Sequence, residues 1–331
     1  MRRWAPIVGL MIAVACGSSG SGGSGFVGDG GSGSGSGGSG SSSGAGGDGS
    51  GGSSGGILGG DGAPGDGQGG CVAPDMLIVL DHTDSMSHEP SGAKPPNTMA
   101  GHALTKWVLA TQAIKAVVAP PNDTKVDFGL ELFPLDPQTV TDAGGTGTCS
   151  TLSQLLAGAA SNNTHCQSAE VPVAPAAGTG TAITTLLDPE TLRLCVSTPI
   201  ALALGTAKAE LEAVQHGVPQ YVLLVTDGGE TCKGDVVGVT QQLAAAGIKT
   251  FVVGFGGVEG GAGGVNVPLL DDAACAGETS PGFPAGCTKG ASGYTATSTT
   301  GAPLFYSAED GASLQSALSA ITKSVCCGCA Q

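Results

Sequence analysis

Asp81, Thr83 and Ser85 present a carboxylate and two hydroxyls at alternate positions, directly after the apolar run Met76-Leu77-Ile78-Val79-Leu80. Three hard oxygen donors on one short loop suit a small divalent cation better than they suit a nucleophile. The run has the length and composition of a strand buried on both faces of a parallel sheet. Where such a strand ends the backbone turns, and the three side chains can converge on one crevice. A local reading stands beside this one: Asp-x-Thr-x-Ser is also an Asx or ST turn that caps a following helix.

Two later segments carry oxygen side chains in comparable settings. In Ser197-Thr198-Pro199-Ile200-Ala201-Leu202-Ala203-Leu204, Thr198 precedes a proline, which makes it a good helix N-cap in its own right. In Tyr221-Val222-Leu223-Leu224-Val225-Thr226-Asp227-Gly228, a second apolar run ends in a carboxylate and a turn glycine. The three segments, in this order, resemble the metal-ion-dependent adhesion site of von Willebrand factor A-type domains, and the resemblance covers roughly residues 71 to 325.

That resemblance implies an α/β fold with a doubly wound, mostly parallel open sheet flanked by helices. It implies that Asp81, Thr83 and Ser85 contact a cation directly or through water, that Thr198 and Asp227 complete its sphere, and that one position stays open to water or to a partner's carboxylate. Mg²⁺ is the expected ion because it prefers octahedral oxygen and keeps exchangeable waters, with Mn²⁺ or Ca²⁺ as alternatives. Two positions depart from the family pattern. Thr83 replaces a serine, which keeps the hydroxyl, and Asp84 stands where glycine is usual, which adds a negative charge. The implied function is a non-enzymatic, surface-tethered module that binds a protein ligand through an exposed Asp or Glu. The alternatives are a metal-assisted hydrolase and a structural envelope protein with a vestigial site. No general base is patterned beside Asp81, although Glu230 follows Asp227 by three residues.

The elements that must position these residues alternate in type. The spacing predicts a helix over Leu104 to Val118, with Lys106 and Lys115 off its apolar stripe and Pro120-Pro121 ending it. Strands are expected at Val126 to Phe133, Val171 to Ala174, Tyr221 to Thr226, Lys249 to Gly254 and Leu304 to Ser307. Helices are expected from Thr198 to about Val214, from Asp235 to Ala246 with Gly247 as a C-terminal cap, and from Gly311 to Val325. Two insertions, Leu135 to Ala169 and Gly256 to Gly301, are long for loops. Pairing Cys149 with Cys166 and Cys275 with Cys287 would close each on itself.

The chain carries 12 basic and 27 acidic residues. Arg193 is the only arginine beyond Arg2 and Arg3, so a basic footprint for nucleic acid is missing. Residues 1–15 read as a short export leader ending in Ala13-Val14-Ala15, directly before Cys16. Lipidation of Cys16 would anchor the chain to the cell envelope, at the outer membrane or cell surface, and would be its sole membrane contact; full secretion is the alternative. Removing Cys16 from the 11 cysteines leaves an even set for disulfides: Cys71, Cys149, Cys166, Cys195, Cys232, Cys275, Cys287, Cys326, Cys327 and Cys329. Residues 16–70, almost all Gly and Ser, read as a disordered tether with an end-to-end distance of roughly 40 Å. Residues 71–331 form the folded domain. None of the five histidines shows ligand spacing; His82 and His88 are expected as exposed neighbours of the metal loop.

Overall fold

A computed structural model describes residues 72–138, 147–162, 166, 169–214, 216–257, 264–297 and 301–326. The expected leader, Cys16, the tether, Cys71, Cys327 and Cys329 lie outside these residues.

Among the described residues the strands are β1 (Asp75–Asp81), β2 (Asp127–Phe133), β3 (Ser150–Thr151), β4 (Glu170–Val173), β5 (Arg193–Leu194), β6 (Gln220–Thr226), β7 (Ile248–Phe255), β8 (Cys287–Lys289), β9 (Tyr294–Ala296) and β10 (Tyr306–Ala308). Eight α-helices accompany them: α1 (Met99–His102), α2 (Lys106–Val117), α3 (Leu152–Leu156), α4 (Gly180–Leu186), α5 (Ile200–Ala213), α6 (Val236–Ala245), α7 (Val267–Ala276) and α8 (Gly311–Val325). Among the described residues, no helix is long and apolar enough to cross a membrane.

The main sheet runs β10-β7-β6-β1-β2-β4. Its pairings are parallel except β2 with β4, which is antiparallel. All seven residues of β1 are buried, as a central strand covered on both faces requires. Its side chains alternate between two cores. Met76, Ile78 and Leu80 meet Trp107 and Ile114 of α2 and Leu314 and Leu318 of α8 on one face. Leu77 and Val79 meet Leu204 and Leu211 of α5 and Leu243 of α6 on the other. Each such buried aliphatic side chain contributes about 1.5–3 kcal/mol relative to exposure. The expected doubly wound sheet is therefore present, with β1 and β6 side by side at its centre.

Chain connections leave this pair in opposite directions: β1 leads to β2, whereas β6 leads to β7. The crevice at the carboxyl ends of β1 and β6 is thus a topological switch point, where open α/β sheets bind ligands.

The described residues of both insertions include secondary structure. Residues 256–301 hold α7 and the β8–β9 hairpin, and Asn266 caps α7 by accepting from the Leu269 N–H. Residues 135–169 hold β3 and α3, and β3 pairs with β5. Disulfides join Cys149 to Cys195, Cys166 to Cys232, and Cys275 to Cys287. The first insertion is therefore not closed on itself. Each of its cysteines instead ties it to a segment beside the expected ligand loops, because β3 lies against β5 and brings Cys149 to Cys195. Cys326 is also disulfide-bonded.

Candidate metal site

Asp81 ends β1, and Thr226 ends β6, with Asp227 directly after it; the last ladder partner of β6 to β1 is Val225 opposite Leu80. The parallel register brings the two carboxylates together at adjacent strand ends, and both residues are 0% exposed. Asp81 Oδ1 accepts from the Thr83 N–H at 2.9 Å and Oδ2 accepts from the Thr226 hydroxyl at 2.6 Å. The hydroxyls of Thr83 and Ser85 lie 2.8 Å apart, and Ser85 donates to Asp227 Oδ1 at 2.8 Å. Four of the five expected ligands thus form one connected cluster.

Thr198, the fifth expected ligand, is held through its backbone on Thr231 and shares no hydrogen bond with the cluster among the described residues. Its N–H donates to the Thr231 hydroxyl at 2.6 Å, and its carbonyl accepts from the Thr231 N–H at 3.1 Å. The preceding Ser197 holds φ at 76°, a left-handed conformation rare outside glycine. This docks the Thr198 turn on the loop that follows Asp227. Thr198 does not cap α5 as expected: Pro199 is the N-cap residue, and Glu230 Oε2 accepts from the Ala201 N–H at 2.9 Å. Glu230 Oε1 accepts from the Cys232 N–H at 2.6 Å. Both oxygens of the one carboxylate considered as a general base therefore bond backbone N–H groups.

Burial, first, and the neighbouring Asp227 charge, second, raise Asp81 from its ordinary 3.8 to about 7. Burial also raises Asp227, opposed by the ammonium of Lys106 and the hydroxyl of Ser85. Lys106 is the residue at this cluster that sequence reasoning missed. Its Nζ lies 2.6 Å from Asp227 Oδ2 with both side chains fully buried, although the helical period places it off the apolar stripe. Among the described residues, this ammonium is the only partner of Asp227 Oδ2. One sequence signal could have found Lys106, because a cation in the first turn of a helix opposes the helix dipole.

Asp84 is engaged away from this cluster. Ser161 donates its hydroxyl to Asp84 Oδ1 at 2.7 Å and its N–H to Oδ2 at 3.3 Å. Burial raises the Asp84 carboxyl and these bonds oppose the shift. His82 is not an exposed neighbour: it is 3% exposed, and its ring spans the Arg193 and Pro134 carbonyls. Burial lowers its pKa because the charged ring would be desolvated. His88 is half-buried, with Nδ1 3.3 Å from the Ser85 carbonyl.

The donor set suits a hard divalent cation: two fully buried carboxylates and the Thr83 and Ser85 hydroxyls, all hard oxygens. Comparisons with known proteins are partial in extent. Over 60 residues the chain is 42% identical to the uncharacterized protein YwmD of Bacillus subtilis, an alignment covering 18% of this chain and 27% of that protein. The chain thus spans about a quarter of that relative's length. PilB minor pilin from Streptococcus sanguinis superposes with a TM-score of 0.47 at 14% identity, over 78% of this chain and 63% of that one. Proximal thread matrix protein 1 from the mussel byssus, solved with a zinc-occupied MIDAS motif, gives a TM-score of 0.43 at 13% identity, over 76% and 48%. The sequence model of the von Willebrand factor type A domain matches residues 192–270, the stretch that carries Thr198 and Asp227.

Proposed function

We propose that the folded part of this chain is a von Willebrand factor A-type binding module, in which Asp81, Thr83, Ser85, Thr198 and Asp227 hold a divalent cation, Mg²⁺ foremost. One observation carries the reading: two fully buried carboxylates, Asp81 and Asp227, end adjacent parallel strands at the switch point of the sheet. Like charges this close are costly unless a cation or a proton offsets them. When bound, the ion supplies an electrophilic centre that attracts an oxygen anion.

The chain's own residues do the positioning. Thr226 and the Thr83 N–H fix the Asp81 carboxylate, and Ser85 orients Asp227. Thr231 holds the Thr198 turn against the loop that follows Asp227. The occupant of the open position would be an exposed Asp or Glu of a protein partner. With Cys16 lipidated, the Gly/Ser tether would hold this module away from an envelope surface.

Calorimetric titration of the full chain with MgCl₂, MnCl₂ and CaCl₂ tests the reading. Binding by the wild type that is lost in Asp81→Ala supports it. A folded wild type that takes up none of the three ions overturns it. Capture of acidic-peptide ligands with and without chelator then tests the partner chemistry.

A further inference from the structure

Lys106 is the first residue of α2, where Thr105 caps the helix by accepting from the Val108 N–H. A positive side chain there meets the positive end of the helix dipole, which the handful of basic residues in this chain could easily have avoided. The side chain is nevertheless fully buried. Its aliphatic stem runs past Gly256: a Cβ at that glycine would stand 3.5 Å from Lys106 Cδ and 3.7 Å from Nζ. Its backbone N–H donates to the His88 carbonyl at 2.8 Å, so the start of α2 is pinned to the end of the metal loop. The fold thus delivers a buried ammonium onto Asp227, a carboxylate that the proposed metal site also uses.

We infer that Lys106 is the resident cation of this site: its ammonium neutralises Asp227, and a divalent ion binds there only by displacing it. The inference rests on the metal-site reading and adds a competitor to it. Two considerations support displacement over coexistence. An ammonium and a dication sharing one buried carboxylate repel strongly where water is excluded. Lysine is also a point charge on a flexible four-carbon stem, so its head can leave while α2 stays in place. A site built this way keeps its carboxylates satisfied without metal and captures divalent ions more weakly than the same oxygens would alone.

The test compares wild type, Lys106→Met and Lys106→Gln as full chains, by calorimetric titration with MgCl₂ and MnCl₂ and by melting temperature with chelator or with Mg²⁺. Removing the ammonium is expected to tighten divalent binding by about 10-fold or more. The variants should also melt below wild type in chelator and gain more from Mg²⁺. The glutamine variant keeps a hydrogen-bond donor for Asp227, so the comparison survives if the methionine variant does not fold. Adding Asp81→Asn to either variant should abolish the gained affinity, which locates it. Equal affinities in wild type and variants would overturn the competitor role and leave the metal site standing. No binding in any of the three proteins would overturn the metal-site reading itself, and this inference with it.

Discussion

The Thr226 hydroxyl donates a 2.6 Å hydrogen bond to Asp81 Oδ2, joining the ends of β6 and β1 just beyond their last backbone pair. The Thr226 hydroxyl oxygen also accepts from the Gly228 N–H at 3.2 Å, so Thr226 shapes the turn that carries Asp227. Thr226→Val keeps the β-branched shape and removes both bonds. A hydrogen bond to a charged group contributes about 1.5–3 kcal/mol, and Thr226 is fully buried. We expect a loss of that order in urea unfolding at pH 8 in chelator, and a smaller one at pH 5, where Asp81 is protonated. Equal losses at both pH values would show that the bond does not serve the charged carboxylate.

Asp81 makes stability depend on pH. Its pKa is 3.8 ordinarily and about 7 in the fold. Between those values the folded chain keeps a proton that the unfolded chain has released, so stability is lost as pH rises from about 4 through 7. Buried Glu131 is shifted in the same direction, and His82, lowered by burial, acts oppositely. Comparison with Asp81→Asn isolates the one carboxyl. In chelator, the melting temperature of wild type should fall more steeply between pH 4.5 and 7.5 than that of the variant. Mg²⁺ at pH 7.5 should restore wild type and leave Asp81→Asn unchanged; parallel pH profiles would refute the assignment.

The sheet and the two carboxylates were legible because β1 and β6 are unbroken apolar runs, each ending in an aspartate. The closing helix, α8, follows its sequence bounds for the same kind of reason: a clear 3.6-residue period after an Asp310 cap. Lys106 was not legible, because periodicity reports which face of a helix is apolar and says nothing about a carboxylate on a distant strand. The partner of Cys149 was hidden for a related reason. Loop-closure entropy favours the nearer Cys166, whereas the β3–β5 pairing presents Cys195. The glycines around α7 masked a helix whose start carries an Asn266 cap followed by Pro268.

Glu131 stands in the middle of β2, fully buried, and neither of its carboxyl oxygens has a hydrogen-bond partner among the described residues. Burial, and then the charge of Glu210, push its pKa well above 4.5. A carboxyl kept neutral in an apolar setting stabilises little and costs polar desolvation. Glu131→Met, close in volume, should stabilise the domain by about 1–3 kcal/mol at pH 7.5 in urea unfolding. The gain should shrink at pH 4, where the unfolded chain also carries the proton. A loss of stability at both pH values would mean that Glu131 has a partner in solution.

Two disulfides of different reach should separate global stability from the site. Cys195 accepts from the Asp84 N–H at 2.8 Å, donates to the His82 carbonyl at 3.0 Å and pairs with Thr83, so its bond to Cys149 braces the metal loop directly. Cys275–Cys287 spans 12 residues against 46, and its neighbour Gly277 bonds Thr250 in the first half of β7, away from the strand ends that carry the site. Removing Cys149 and Cys195 together, as alanines, should cost about 2–4 kcal/mol and weaken divalent binding. Removing Cys275 and Cys287 should cost less, because the shorter loop restricts the unfolded chain less, and should leave divalent affinity at the wild-type value. If both double variants weakened cation binding alike, the effect would come from general loosening of the fold, and the Cys195 segment would have no special hold on Thr83 and Asp84.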